Sequence, residues 1–184
     1  MSNNFLILMS GGTTPVINST LVGIINRVRN RSSKFKIYSG QPGIDGVVKN
    51  KFINLTNLSN SKLKVISKTP GSHIVGTTRL KKFNKKEIEL FRQNLLKKKI
   101  INIINIGGNG TLKQTIDLSK RLKNFNFISC PKTVDNDLGD LEFKKMLYTP
   151  GFPSCVNIWK FFLDMINIEN IGAKSHDKII ISQT

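Results

Sequence analysis

The sequence predicts an α/β fold in which a doubly wound, mostly parallel sheet is flanked by helices. Short apolar runs alternate with stretches of helical periodicity, two strand-to-helix junctions are rich in glycine, and a third carries a cluster of charged side chains. In such a sheet, ligands bind at the carboxyl ends of the strands. We therefore expect one domain with its site at that edge of the sheet.

Length and composition fit a single globular domain. The chain has 184 residues, of which 39% are hydrophobic, enough for one well-packed core and hardly for two. No apolar stretch approaches the roughly 20 residues of a membrane helix, and the first ten residues do not resemble a signal peptide. Because Cys130 and Cys155 are the only cysteines, we expect a reduced, cytoplasmic protein without membrane partners.

The net charge of +18 is the strongest compositional bias. It favours attraction of anions, either nucleotides and sugar phosphates or nucleic acid. The lysines are scattered in short runs and are not gathered with arginine and aromatic residues on one segment. A solvated basic surface is therefore the preferred interpretation, and nucleic-acid binding is unlikely.

The first element is a strand followed by a helix. Residues 5–9 form a short apolar run that fits a buried parallel strand. Thr14 is placed to cap a helix with Pro15 at its first position, and apolar residues follow at helical spacing as far as Val28. This pattern predicts a tight glycine turn between the two elements.

The next part of the chain is less regular. Residues 35–38 fit a second strand, and the glycines between 40 and 46 predict a loop. Residues 47–76 give no clear assignment. A helix begins after Asn84, because Glu87 three residues later completes the pattern of a capping box.

The second half of the chain continues the alternation. The predicted elements are a strand over 102–106, a helix over 110–122, a strand over 125–128, a helix over 153–168 and a strand over 178–181. A complete domain would carry the last strand into a covering element. The end of the chain at Thr184 therefore predicts truncation before a second domain.

Three loops carry the candidate chemistry. Glycine turns such as Gly11-Gly12 and residues 107–111 bind phosphate, because their backbone N–H groups point at the ligand and no Cβ blocks its approach. The first turn alone is weak evidence, since a tight turn also requires glycine. The second turn repeats the context and adds Thr111, whose hydroxyl is suited to a phosphate oxygen or a metal-bound water.

The third loop, residues 131–137, reads Pro-Lys-Thr-Val-Asp-Asn-Asp. Asp135 is suited to accept a proton from an attacking hydroxyl, Asp137 to hold Mg²⁺, and Lys132 to neutralise a transferred phosphoryl group. Arg79 follows another glycine and is suited to clamp phosphate, although a solvated loop arginine is an equal alternative. An Asx-rich surface turn is the alternative for the third loop. The two preceding phosphate loops make this alternative the less favoured one.

Together these segments resemble the 6-phosphofructokinase family, whose members use ATP or pyrophosphate as donor. The resemblance spans nearly the whole chain, and its specificity lies in the order of the motifs. These are SGGTTPVIN from Ser10, TPGSHIVGTTR from Thr69, IGGNGT from Ile106, PKTVDND from Pro131 and TPGFPS from Thr149. It implies a Rossmann-like, phosphofructokinase-type fold and one donor-phosphate-binding domain over residues 1–184.

The resemblance implies Mg²⁺-dependent transfer of a phosphoryl group to the 1-hydroxyl of fructose 6-phosphate, a glycolytic reaction. It implies Asp135 as general base and Arg79 as a stabiliser of the transferring group, beside Lys132. The implied substrate-binding residues are Thr133, Asp135 and Asp137. The implied metal ligands are Asn109 and Asp137, and the implied donor-phosphate residues are Gly11, Gly12, Gly108, Asn109, Gly110 and Thr111.

The choice of donor depends on two positions. In the resembled family, aspartate in place of Gly110 fills the space of a nucleotide phosphate and favours pyrophosphate, whereas glycine leaves room for ATP. Lys132 is typical of pyrophosphate enzymes but also occurs with glycine in some ATP-dependent relatives. ATP is therefore the preferred donor and pyrophosphate the alternative.

The sequence also departs from the resembled family. Pro15-Val16-Ile17-Asn18 replaces the usual Pro-Gly-x-Asn, and Asn109 stands where many members have a metal-linked aspartate. The family's second domain, which supplies most sugar-phosphate contacts, is missing. We therefore expect weak donor binding and poor turnover from these 184 residues, with a truncated, non-catalytic subunit as a further alternative. A full-length form is expected to be a homo-oligomer.

Overall fold

A computed structural model describes most of the chain. The described residues are 3–69, 71–79, 82–138 and 147–173, with the single residues 175, 179 and 181. Their elements in chain order are β1 (Asn4–Met9), α1 (Pro15–Arg31), β2 (Ile37–Gly40), α2 (Gly43–Val48), β3 (Phe52–Asn54), α3 (Asn60–Lys68), α4 (Lys85–Lys97), β4 (Ile100–Gly107), α5 (Asn109–Arg121), β5 (Asn126–Pro131) and α6 (Phe152–Gly172).

The strands form one sheet in the order β3-β2-β1-β4-β5. β1 lies at the centre and pairs in parallel with β2 and β4, and β5 pairs in parallel with β4. Only the described edge strand β3 runs antiparallel to its neighbour. This mostly parallel sheet with flanking helices confirms the predicted fold class. The carboxyl ends of β1, β4 and β5 consequently lie along one edge.

Alternate side chains of β1 enter two hydrophobic clusters on opposite faces of the sheet, as the period of a strand requires. Ile7 and Met9 pack with α1 and α3, whereas Leu6 and Leu8 pack with α2, α4 and α5. All four side chains are buried. Burial of each contributes roughly 1.5–3 kcal/mol, so the first apolar run anchors both layers.

The second strand is shifted from its predicted position at 35–38 to Ile37–Gly40. Ser39 belongs to this strand although it is polar, because its buried hydroxyl donates a hydrogen bond to the Ile7 carbonyl at 2.6 Å. Phe35 lies before the strand and packs edge-on against Phe5. Apolarity alone therefore misplaced the strand by two residues.

The predicted loop over 40–46 is partly wrong, because helix α2 begins at Gly43. Glycine is needed here for close packing. A Cβ on Gly46 would lie 2.1 Å from the Gln41 nitrogen, and one on Gly40 would lie 2.0 Å from the Gly43 carbonyl oxygen. The unassigned residues 47–76 contain the rest of α2, β3 and α3.

The predicted strand over 178–181 lies partly outside the described residues, since Lys178 and Ile180 are not described. Ile179 and Ile181 are described, and both are exposed and belong to no strand. The prediction is therefore wrong at these two positions. Neither residue pairs with a strand of the described sheet, so the backbone lacks the partner that a strand requires.

Helix α6 confirms the helix predicted over 153–168 and extends it at both ends. None of its residues is buried, although it is mostly apolar. Exposed apolar surface of this extent marks a contact site. Its exposed large apolar side chains are Val156, Ile158, Phe161, Phe162, Leu163, Met165, Ile168 and Ile171. Within the described residues, no helix combines the length and apolarity needed to span a membrane.

The capping box of α4 is present as predicted. The Asn84 side chain accepts a hydrogen bond from the Glu87 backbone at 2.9 Å, and the Glu87 carboxylate accepts one from the Asn84 backbone at 3.1 Å. Asn84→Ala is expected to lower the free energy of unfolding by about 1 kcal/mol, measured by urea denaturation. Asn84→Asp keeps an acceptor and should remain near wild type. Equal losses in both variants would contradict the role of the cap.

Candidate active site

The three candidate loops meet at the carboxyl edge of the sheet. The Lys132 backbone N–H donates to the Gly107 carbonyl at 2.9 Å, which joins the third loop to the second. The Lys132 ammonium donates to the Gly12 carbonyl at 2.6 Å, which joins the third loop to the first. One residue therefore connects all three loops through its backbone and its side chain.

Lys132 is buried, with 4% of its surface exposed. Burial lowers the pKa of its ammonium, and the nearby Asp135 carboxylate partly opposes this shift. A buried ammonium requires a partner, and the Gly12 carbonyl supplies it. The side chain therefore holds the first loop in place and brings a positive charge to its carbonyl side.

The second loop leads directly from β4 into the first turn of α5. Gly108 caps this helix, and a Cβ at Gly108 would already lie 3.4 Å from the Lys132 carbonyl oxygen. The first-turn N–H groups of a helix lack intrahelical partners and attract anions. Asn109, Gly110 and Thr111 supply these groups, with Asn109 exposed and Gly110 half-buried. The turn is thus suited to bind phosphate oxygens.

The Thr111 hydroxyl has a partner within the protein that the sequence did not predict. It is buried and forms a hydrogen bond with the buried hydroxyl of Ser10, at the end of β1. The expected contact of this hydroxyl with a phosphate or a metal-bound water stays a prediction, which would have to be made beside the Ser10 bond. Its backbone N–H remains in the first turn of α5, and its side chain joins the first and second loops.

The first loop is held from its other side by the segment that carries Arg79. Gly11 has a φ of 85°, its N–H donates to the Thr78 carbonyl at 3.0 Å, and its carbonyl accepts from the Thr77 hydroxyl at 2.8 Å. A cleft of about 600 Å³ opens here. Its walls are formed by Gly11, Gly12, Thr13, Thr77, Thr78 and Arg79. Arg79 is exposed, so its guanidinium is available to an anion in the cleft.

The two carboxylates of the third loop are exposed. The Thr133 hydroxyl donates to Asp135 Oδ2 at 3.0 Å and accepts from the Asp135 backbone N–H at 3.1 Å. This pair of bonds fixes the Asp135 side chain relative to its own backbone. Asp135 also lines a cavity of about 630 Å³ that runs along α6.

The contact between Asn136 and Thr149 shapes the third loop, and the sequence did not predict it. Asn136 has a φ of 55°, a conformation that asparagine tolerates better than most residues. Its side-chain oxygen accepts hydrogen bonds from the Thr149 backbone at 2.8 Å and the Thr149 hydroxyl at 2.9 Å. Thr149 is 1% exposed. The TPGFPS motif was the available signal, and its threonine fixes the residue between the two aspartates.

The carboxyl edge also offers ligands for Mg²⁺. Among the described residues, no group of three or more His, Cys, Asp or Glu side chains is gathered in one place. Mg²⁺ usually takes one or two carboxylates and completes its shell with water and substrate phosphates. Exposed Asp137 and exposed Asn109, at the start of α5, supply donors of this kind. The donor set thus fits a metal held largely by the substrate.

Comparison with known proteins agrees with this geometry. A family model described as phosphofructokinase matches residues 4–184. Pyrophosphate--fructose 6-phosphate 1-phosphotransferase of Rhodospirillum rubrum is 30% identical over 90% of this chain and 40% of its own length. ATP-dependent 6-phosphofructokinase 3 of Bacteroides thetaiotaomicron is 29% identical over 95% of this chain and 50% of its own length. The chain therefore spans half or less of these relatives.

Solved structures give the same result. The pyrophosphate-dependent phosphofructokinase from Nitrosospira multiformis matches with a TM-score of 0.73 and 29% identity, over 82% of this chain and 37% of that one. The phosphofructokinase from Saccharomyces cerevisiae has a TM-score of 0.72 at 17% identity, over 95% of this chain and 25% of that one, which shows the shared fold. The motif order, the sheet and the family match agree, and the chain belongs to the phosphofructokinase family.

Proposed function

We propose that this chain forms the donor-phosphate-binding domain of an ATP-dependent 6-phosphofructokinase. The reaction transfers the terminal phosphoryl group of ATP to the 1-hydroxyl of fructose 6-phosphate. The observation that carries the proposal is the connection of three loops through Lys132, which hydrogen-bonds to Gly12 and Gly107. The two glycine turns thereby adjoin the loop that carries the exposed carboxylates of Asp135 and Asp137, and this supports binding of the donor phosphates there.

Each loop has its own part in the proposed transfer. Asp135 accepts the proton of the 1-hydroxyl as that oxygen attacks, and Thr133 holds the Asp135 carboxylate in position. Arg79 and Lys132 stabilise the charge of the transferring group. Thr133 and Asp137 also contact the sugar-phosphate side. The donor phosphates bind to Gly11, Gly12, Gly108, Asn109, Gly110 and Thr111.

Asp137 and Asn109 are the proposed ligands of Mg²⁺. When bound, this ion would neutralise phosphate charge and orient the donor. An amide oxygen attracts Mg²⁺ less strongly than a carboxylate does, so Asp137 is expected to contribute more of the affinity. The remaining ligands would be phosphate oxygens and water.

Residues 1–184 are proposed to act as one donor-phosphate-binding domain. Because the chain spans 50% of the Bacteroides relative and 40% of the Rhodospirillum relative, the complete reaction requires acceptor contacts from further protein. We expect weak donor binding and poor turnover from these residues alone. Cytoplasmic location and assembly as a homo-oligomer complete the proposal.

The choice between donors has support on both sides. Relatives of comparable identity are named for pyrophosphate in one case and for ATP in the other. The structure places Gly110 in the first turn of α5, where a carboxylate side chain would add bulk and negative charge beside the donor phosphates. The absence of that side chain favours ATP. Pyrophosphate is the alternative donor.

Gly110→Asp tests this proposal in the native polypeptide. Initial rates of fructose 6-phosphate phosphorylation would be measured with ATP and with pyrophosphate. The variant is expected to lose ATP-dependent kcat/KM by roughly tenfold or more, because the new carboxylate repels the phosphate group that ATP has and pyrophosphate lacks. Its preference should therefore shift toward pyrophosphate. Gly110→Asn is the matched control for size without charge. Wild-type turnover with pyrophosphate alone would overturn the ATP assignment.

A non-catalytic subunit that keeps the donor loops is the second candidate. The intact mass of the polypeptide in its source cells separates the candidates. A mass near 20.7 kDa would favour a binding subunit or one that borrows its acceptor site, whereas about twice that mass would favour the donor-binding half of a complete enzyme.

A further inference from the structure

A further concave site lies at the amino ends of the strands, opposite the candidate active site. It has a volume of about 260 Å³, and we refer to it as the lysine pocket. Its lining residues are Asn4, Lys34, Lys36, Tyr38, Lys97, Lys98 and Lys99. β4 runs from Ile100, beside the pocket, to Gly107 at the candidate active site. An eight-residue strand spans roughly 25 Å, so the two sites are separate.

A buried asparagine fixes the shape of the lysine pocket. Asn4 is 4% exposed, its side-chain nitrogen donates to the Lys98 carbonyl at 2.7 Å, and its side-chain oxygen accepts from the Lys36 backbone N–H at 3.0 Å. These bonds join the segment before β2 to the segment before β4. Lys99 has a φ of 53°, which is uncommon for lysine. The lysines are therefore presented by a defined backbone.

In the described part of the chain, no ion pair neutralises a lysine of the pocket. The ion pairs reported there, Arg92–Glu89 and Arg121–Asp117, belong to α4 and α5 and include no pocket lysine. Asp45 is the only acidic residue among the first 86 residues. Five ammonium groups around one small concavity repel each other, and a multiply charged anion would relieve that repulsion.

The character of the pocket favours a compact anion over an extended polymer. The Lys98 ammonium lies 5.7 Å from the centre of the Tyr38 ring. Phe52 packs edge-on against the same ring, with 6.3 Å between ring centres. Single-stranded nucleic acid is bound by stacking bases on free aromatic rings along a groove. Here the ring is occupied, and the concavity is smaller than sites for drug-sized ligands.

We propose that the lysine pocket binds a compact polyphosphate anion, independently of the candidate active site. Lysine binds phosphate as a point charge without requiring a fixed fork geometry, so several lysines can converge on one such anion. Four of the pocket lysines are exposed and Lys98 is half-buried. The exposed ammonium groups at the rim would therefore bind the anion, and its remaining oxygens would stay in contact with water.

Binding of inorganic tripolyphosphate tests the proposal. The 184-residue chain, labelled with ¹⁵N, would be titrated at physiological ionic strength, and amide shifts would be followed separately at the pocket and at the glycine loops. The charge-reversing variant Lys34→Glu/Lys36→Glu should weaken binding at the pocket roughly tenfold or more. The matched control Lys62→Glu/Lys64→Glu changes the net charge equally on exposed positions of α3 and should stay within about twofold.

Lys98→Gln serves as a second variant that removes one pocket charge without reversing it, and thermal unfolding would verify that each variant is folded. Shifts near Lys36 and Lys98 that saturate and weaken selectively in the pocket variants would support the proposal. Shifts confined to the glycine loops would overturn it, as would equal weakening by the α3 control. Binding of single-stranded RNA through the same lysines without tripolyphosphate binding would also overturn it.

Discussion

Asp135→Asn is expected to lower kcat for phosphoryl transfer by roughly 10²–10⁴-fold in the native polypeptide. Asparagine keeps the shape of the side chain and can still accept a hydrogen bond from the Thr133 hydroxyl, which lies 3.0 Å from Asp135 Oδ2. It cannot take the proton of the attacking hydroxyl. Steady-state kinetics with both substrates saturating would measure this loss directly.

The same variant should leave donor binding almost unchanged, because the glycine turns do not depend on the Asp135 carboxylate for their hydrogen bonds. Donor affinity can be measured by calorimetry alongside kcat. Asp117→Asn is a matched control on the exposed face of α5, where Asp117 pairs with Arg121 at 3.0 Å. A variant of Asp135 that retained most of the wild-type kcat would remove this residue from the role of general base.

Gly107→Ala is expected to lower the free energy of unfolding by about 1–3 kcal/mol or to prevent folding. A Cβ at this position would lie 2.1 Å from the Thr111 hydroxyl oxygen and 2.6 Å from the Thr111 Cβ. Thr111 cannot retreat easily, because it is buried and hydrogen-bonded to Ser10. Making room for the alanine Cβ would therefore displace the first turn of α5. Urea denaturation monitored by circular dichroism would measure the change.

Gly23→Ala is the control for this comparison. Gly23 lies within α1, and a Cβ there would meet no atom within 4 Å. Alanine is a better helix former than glycine, so this variant should be stabilised by roughly 0.5–1 kcal/mol. If Gly107→Ala unfolded at the same urea concentration as wild type, the close approach of Gly107 to Thr111 would not constrain the fold.

The sequence predicted the elements whose burial follows a simple period. The apolar run of β1 and the capping box at Asn84 both express local rules, and both occur in the structure. α2 was missed because Gly43 and Gly46 read as turn residues, whereas the backbone approaches them too closely for any side chain. β2 was misplaced because Ser39 satisfies its hydroxyl on a neighbouring strand. Such long-range contacts have no local signature.

For the candidate site, the sequence identified segments better than roles. It predicted that the loops at Gly12 and Lys132 lie at one edge, and the structure joins them directly. It did not predict that the Thr111 hydroxyl is hydrogen-bonded to Ser10, or that Thr149 is hydrogen-bonded to Asn136. These contacts link residues far apart in the chain. The chemical roles of Asp135 and Asp137 remain proposals, and Asp135→Asn tests the first of them.

The central position of β1 has a consequence for biosynthesis. β1 and the Gly11-Gly12 turn leave the ribosome well before their partners, because β4 begins only at Ile100 and Lys132 lies 120 residues beyond Gly12. At about 5–20 residues per second, the first turn waits roughly 5 to 25 seconds for its last partner. Until α4 and β4 are made, β1 lacks one neighbouring strand, and Leu6 and Leu8 lack part of their packing. Because β1 contributes to both hydrophobic clusters, we expect it to be open to misassembly during synthesis unless a chaperone covers it.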